Sequence, residues 1–159
     1  SDVYKRQELT VNCAAALLER APKYDFLLTA EAKSIPLVQE MARQNGDAHY
    51  IVARKGRKLY MDNPICVGVK SITTEKDQKL YVDQEEMEQM RGKRILIVDD
   101  VISTGRSLQA LEEIAAAAGA DVVGKMAVLA EGDAASRTDI SYLEKLPLFN
   151  GKGEPLPFD

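Results

Sequence analysis

The stretch RILIVDDVISTGRSLQ, Arg94 to Gln109, decides how this chain is read. Arg94 to Val98 is dominated by an unbroken apolar run, the pattern of a strand buried on both faces. Asp99 and Asp100 follow directly, then a loop of small and hydroxyl-bearing residues to Gly105. Ser107 to Ala118 suits a helix, closed by Gly119. Strand, acid pair, loop and helix are therefore expected in immediate succession.

Each part carries its own chemistry. A helix N-terminus presents unpaired N–H groups and partial positive charge, favouring an anion by roughly 0.3–1 kcal/mol before direct contacts. Gly105 lets the backbone approach closely, while Ser103, Thr104 and Ser107 add hydroxyl donors. Such a loop suits a phosphate monoester. Ionised Asp99 and Asp100 accept hydrogen bonds only, so they suit neighbouring hydroxyl groups. A phosphate with hydroxyls beside it describes a ribose 5-phosphate. An Asp-Asp pair alone is more often an acidic turn, and Ser-Thr an ordinary helix cap. Their meeting at one strand–loop–helix junction argues against that reading. A Walker B strand would need a GxxxxGK[ST] loop, which the chain lacks. A response-regulator receiver carries its Asp-Asp strand at its start, and too few residues follow Asp100 here.

Outward from this motif, the chain alternates strands and helices. Leu9–Arg20 and Ser34–Gln44 read as helices, the second with Ser34 as N-cap and Pro36 in its first turn. Asp25–Thr29, His49–Ala53, Val122–Leu129 and Ile140–Leu146 read as strands. Ile65–Ile72 and Lys79–Val82 read as a hairpin around the polar segment Thr73–Gln78, with Gln84–Met90 a weak helix or turn. This order predicts one α/β domain, residues 8–149, with a mainly parallel sheet flanked by helices. Residues 150–159 are Gly- and Pro-rich and expected to be irregular. Ser1–Gln7, SDVYKRQ, resembles translated sequencing-adapter DNA and is expected to be a non-native leader.

Composition narrows the class. At 45% hydrophobic and 29% charged, the chain is an ordinary globular domain. No run of about 18 apolar residues predicts a membrane span. A net charge of −4 argues against general nucleic-acid binding, so the basic cluster Ala53–Lys58 suits a small anion. Cys13 and Cys66 have no CxxC spacing and read as free thiols of a reducing cytosol. His49 reads as structural, and Tyr60 and Tyr81 as packing residues. In a parallel sheet, ligands bind beyond the carboxyl ends of the strands. Three loops expected there, Thr29–Ser34, Arg54–Lys58 and Asp99–Ser107, hold the unusual residues.

RILIVDDVISTGRSL resembles the phosphoribosyl-pyrophosphate (PRPP) motif of type I phosphoribosyltransferases. TAEAKSIPL, Thr29–Leu37, resembles their pyrophosphate loop, and VARKGRKL, Val52–Leu59, the Arg-Lys-x-x-Lys stretch of adenine and xanthine enzymes. The resemblance implies that Asp99 and Asp100 hold the ribose hydroxyls, and that Ser103, Thr104, Gly105, Arg106 and Ser107 cradle the 5-phosphate. Arg106 stands where purine enzymes usually have a second glycine. Glu31, Ala32, Lys33 and Ser34 would border the pyrophosphate, with Arg54, Lys55 and Lys58 over its other side. Glu31 reads equally as a structural acid capping a neighbouring loop. Family members often carry a non-proline cis peptide in that loop.

The implied activity is purine phosphoribosyl transfer from PRPP, with adenine first and xanthine second, and Mg2+ held mainly by PRPP. Ser71–Thr74 is closer to the xanthine type, whereas Glu131-Gly132-Asp133 lacks the lysine that type carries. The roles of Glu131 and Asp133 stay open. A homodimer in the cytoplasm, with no nucleic-acid or membrane partner, is the implied state. A catalytically silent PRPP-sensing regulator is the alternative. The family's N-terminal hood, which supplies much of the base pocket, is expected to be missing. Apolar surface near Leu129 and Ile65 would then stand open, and turnover would be poor. The hairpin loop would close over the site.

Overall fold

The computed structural model describes residues 2–69 and 78–146. Four α-helices and seven strands alternate along them: α1 Asp2–Arg20, β1 Phe26–Ala30, α2 Ile35–Asn45, β2 Ile51–Ala53, β3 Ile65–Val69, β4 Gln78–Val82, α3 Gln84–Met90, β5 Arg94–Ile102, α4 Arg106–Ala118, β6 Asp121–Glu131 and β7 Ser141–Leu146. A short 3-10 helix, Gly132–Ser136, joins the last two strands. The main sheet has the order β2-β1-β5-β6-β7, with every neighbouring pair parallel. β3 and β4 form a separate antiparallel hairpin.

β5 sits at the centre because both its faces are apolar. Side chains alternate across a strand. Ile95 and Ile97 join one core with Leu108, Leu111 and Ile114 of α4, Met87 and Met90 of α3, and Leu80 and Val82 of β4. Leu96 and Val98 join a second core with Leu17 of α1, Leu37, Val38 and Met41 of α2, and Met126 of β6. Each such side chain contributes about 1.5–3 kcal/mol by leaving water. The sheet is thus the wall between two cores.

Several expected boundaries move, each for a non-local reason. β5 continues through the acid pair to Ile102, where a loop was expected from Asp99. Its ladder with β6 extends to Ile102 opposite Ala130, so a longer partner supplies the bonds that keep it extended. α1 begins at Asp2, inside the expected leader; residues 5–9 are exposed and burial starts at Ala14 and Leu17. Gln84–Met90 is a full helix, capped by the Asp83 carboxylate on the Gln84 N–H. Gly119 closes α4 in the left-handed conformation, as expected. Of the expected hairpin loop, Gln78 opens β4 and Thr73–Asp77 lie outside the described residues, as do residues 147–159. His49 is structural, its ring 5.1 Å from that of Phe26. Tyr60 is not a packing residue, being 63% exposed, whereas Tyr81 is partly buried. Among the described residues no helix is long and apolar enough to cross a membrane.

Candidate functional site

Because the sheet is parallel, the loops after β1, β2, β5 and β6 leave from one edge. The acid pair lies at the end of β5. Asp99 and Asp100 are partly buried strand residues, not the exposed loop carboxylates that the sequence suggests. Ser34 is 2% exposed, and its Oγ donates to Asp99 Oδ1 at 2.8 Å, with Asp100 Oδ1 3.2 Å away. The same oxygen accepts the Asp100 N–H at 3.0 Å, and that N–H also lies 2.8 Å from Asp99 Oδ1. Burial, then the neighbouring Asp100 carboxyl, pushes the Asp99 carboxyl up to about 7, against the opposing pull of the Ser34 hydroxyl.

Ser34 stands at the N-cap of α2 as expected, but its hydroxyl caps nothing. Its backbone is helical, φ −82 and ψ −11, rather than the extended conformation that aims a cap at the first turn. The hydroxyl turns instead to the acid pair. In the loop before it, the Glu31–Ala32 peptide bond is cis, matching the family habit. Ala32 and Lys33 are exposed.

The Glu31 carboxylate is tied to the neighbouring basic loop. Its carboxylate accepts the Lys55 N–H at 2.9 Å and faces Arg54 at 3.8 Å and Lys58 at 3.6 Å. The Lys55 amide, then the two cations, hold this carboxyl below its usual range despite partial desolvation. The basic loop is tied to β4 as well, since Arg54 and Tyr81 exchange two backbone hydrogen bonds of 2.9 and 2.8 Å. Glu31 thus joins the β1 loop to the β2 loop.

The loop Ser103–Gly105 springs from the end of β5. Gly105 is the N-cap of α4, at φ 77, a left-handed conformation that disfavours side chains. Ser103, Thr104 and Ser107 are exposed, and the first turn of α4 holds no acidic residue. Arg106 N–H reaches Thr104 Oγ1 at 3.4 Å. Sequence reasoning missed Arg137. Its guanidinium forks onto Asp139 at 2.8 and 2.6 Å. Its Nη1 lies 2.6 Å from where a Gly105 Cβ would stand. The left-handed φ is what calls for a glycine here, since the Arg137 guanidinium is the end of a flexible side chain that can swing aside. The Arg-x-Asp spacing was the available signal, but nothing local links it to Gly105.

A cavity of about 1000 Å³ opens beside Asp100, lined by Val101, Leu129, Lys33, Ile35 and Pro36 and roofed by residues of α1 from Arg6 to Cys13. Leu129, expected on open surface, lines this cavity, and Ile65 is partly buried. The Thr29 hydroxyl, at the end of β1, is buried without a hydrogen-bond partner. No group of three His, Cys, Asp or Glu side chains among the described residues could hold a metal.

Comparison with known proteins bears on the whole of this arrangement. A family model described as the phosphoribosyl transferase domain matches residues 5–151. A hypoxanthine/guanine phosphoribosyltransferase of Methanococcus voltae is 34% identical over 113 residues, 71% of this chain and 56% of that protein. The chain thus spans little more than half the length of that relative. Another from Methanothermococcus okinawensis is 31% identical, over 80% of this chain and 69% of its own. A xanthine phosphoribosyltransferase of Clostridium perfringens is 29% identical, over 69% and 57%. Among solved structures, the adenine phosphoribosyltransferase of Thermoanaerobacter pseudethanolicus superposes with a TM-score of 0.71 at 20% identity, covering 90% of this chain and 82% of that one. The Trypanosoma brucei enzyme gives 0.69 at 14% identity, covering 98% and 72%. Likeness at these identities concerns the fold alone.

Proposed function

The chain belongs to the phosphoribosyl transferase domain family, and from that premise we propose that it moves the 5-phosphoribosyl group of PRPP to a purine base, releasing pyrophosphate. One observation supports the reading: the partly buried pair Asp99 and Asp100, held by Ser34 from the loop after β1, and the Gly105 loop both belong to the carboxyl end of β5. Acceptors for two ribose hydroxyls and donors for one phosphate then follow one another directly along the chain.

In this reading Asp99 and Asp100 accept from the ribose hydroxyls and fix the sugar. Backbone N–H groups from Ser103 to Ser107, including those of Gly105 and Arg106, take the 5-phosphate. Lys33, with Arg54, Lys55 and Lys58, faces the departing pyrophosphate and offsets its charge, which is where such a transfer gains most. Arg54 and Lys58 must first leave Glu31. Magnesium, bound to PRPP, neutralises diphosphate charge. The base nitrogen attacks C1 while the leaving oxygen departs, so the chain's part is to hold reactants in line. The cavity beside Asp100 is the place for the base, with Val101 and Leu129 against its rings. A cytoplasmic homodimer belongs to the same proposal.

Two readings of the base stand side by side. The motif pattern ranks adenine first, whereas the relatives at 29–34% identity are named for hypoxanthine, guanine and xanthine. Turnover of PRPP with each of the four bases, followed by pyrophosphate release, tests both. Release with one base names it. PRPP–magnesium binding without release from any base would favour the sensing regulator, and absence of PRPP binding would overturn the proposal.

A further inference from the structure

We propose that the Ser34 hydroxyl is a positioning residue for the acid pair, aiming and charging it from the far end of the pyrophosphate loop. A hydroxyl has one proton and two lone pairs. Ser34 uses the proton on Asp99 Oδ1 and a lone pair on the Asp100 N–H. Both aspartates are thereby referred to one buried atom, on an element 65 residues away in sequence. The position makes the arrangement more than incidental. An N-cap serine is normally used for its own helix, yet this hydroxyl leaves α2 without a side-chain cap.

The chemistry follows from what the pair lacks. Two adjacent carboxylates in a half-buried site resist ionising together. Burial, then the neighbouring Asp100, raises the Asp99 carboxyl. Lys33 lines the cavity that Asp100 also lines. Ser34 is the side-chain donor that favours the ionised form of Asp99. A protonated Asp99 would present a donor where a ribose hydroxyl needs an acceptor. Ser34 also closes the loop that begins at the cis Glu31–Ala32 bond. Filling the pyrophosphate side and readying the ribose side therefore share one residue.

The ligand arm of the test rests on the proposed transfer; the other arm does not. In the free protein, carbon-13 NMR of the aspartate carboxyls, assigned with Asp99→Asn, should show the Asp99 midpoint move upward in Ser34→Ala by roughly one unit. Ser34→Thr, which keeps the hydroxyl, should return it towards the original value. An unchanged midpoint in a folded Ser34→Ala protein would overturn the proposal, and Ser34→Gly provides the same comparison if alanine perturbs the loop. Calorimetry with PRPP–magnesium should show Ser34→Ala binding about fivefold weaker at pH 7, approaching tenfold below pH 6, with the deficit closing by about pH 9, as a one-unit shift requires. A deficit constant with pH would also count against it. If the unaltered protein binds no PRPP at any pH, the functional reading fails while the NMR arm still decides the role of Ser34.

Discussion

On the β5 side of the crevice, Asp99 and Asp100 are tied by bonds of 2.8–3.2 Å to a hydroxyl that is 2% exposed. On the β2 side, Arg54 and Lys58 face Glu31 across 3.8 and 3.6 Å, with 30% and 39% of their side chains in solvent. The contrast separates two ways of preparing a charged site. Burial fixes the acid pair but makes its ionisation difficult. Exposure leaves the basic pairs worth about 0–1 kcal/mol each and readily exchanged. In the proposed transfer, a diphosphate would replace Glu31 without breaking the fold, and a sugar would meet partners already set in place.

Removing the rigid side should have the largest effect. Each charge-assisted hydrogen bond is worth about 1.5–3 kcal/mol, so Asp99→Asn with Asp100→Asn should weaken PRPP binding by about a hundredfold or more. Calorimetry measures it, and unchanged binding would end the contrast. Because the pair is half-buried and mutually repelling, the double variant should melt no lower than the parent at pH 8.

The pH dependence of stability isolates the difficulty of ionising that pair. Folded Asp99 keeps its proton up to about 7, whereas the unfolded chain releases it near 3.8. The folded state therefore binds more protons between these values. Its advantage is complete below the lower value and is lost as pH rises through the upper one. Urea unfolding should show this contribution fall by on the order of 1–3 kcal/mol between about pH 4 and 8, and Asp99→Asn should remove the slope.

Gly105→Ala extends the contrast to the phosphate loop. A left-handed φ of 77 and the nearby Arg137 guanidinium both oppose a methyl group, so about 1–2 kcal/mol of stability should be lost. Inorganic phosphate protection in thermal melts should shrink with it. Arg137→Ala in the same background should restore part of the stability, and no restoration would separate space from conformation.

Glu31→Gln should have the smallest effect, with the opposite sign. The Gln carbonyl can still accept the Lys55 N–H, while Arg54 and Lys58 lose their anion. Pyrophosphate should bind a few-fold more tightly, an effect that about 0.5 M salt should erase. Weaker binding would show that Glu31 orders the basic loop rather than competing for it.

Legibility in the sequence followed the same division. The strand, the acid pair and the Gly105 loop are one contiguous stretch, so their succession could be read residue by residue. The parallel order of the main sheet also followed from alternation of apolar runs and helices. What could not be read was chosen by pairing across the fold. β5 continues past Val98 because β6 is there to bond it. The Ser34 hydroxyl turns from its own helix because β5 brings two acceptors beside it. Arg137 meets Gly105 through the turn after β6. Glu31 carried two readings in the sequence, and its tie to the Lys55 amide is visible only in the fold.

The central place of β5 has a consequence for how the chain is made. β1 is complete by Ala30, yet its ladder on one side waits for Ile95–Ile97 to be synthesised. Parallel pairing at such separation closes a long loop and is slow for that reason. A nascent chain stopped before residue 94 holds β1 and β2 with one sheet edge unsatisfied, a state prone to association. The phosphate loop leaves the very strand that ends this wait. Under the proposed function, anion recognition would thus be reserved for chains whose sheet has closed, and added PRPP should slow unfolding while leaving the rate of folding unchanged.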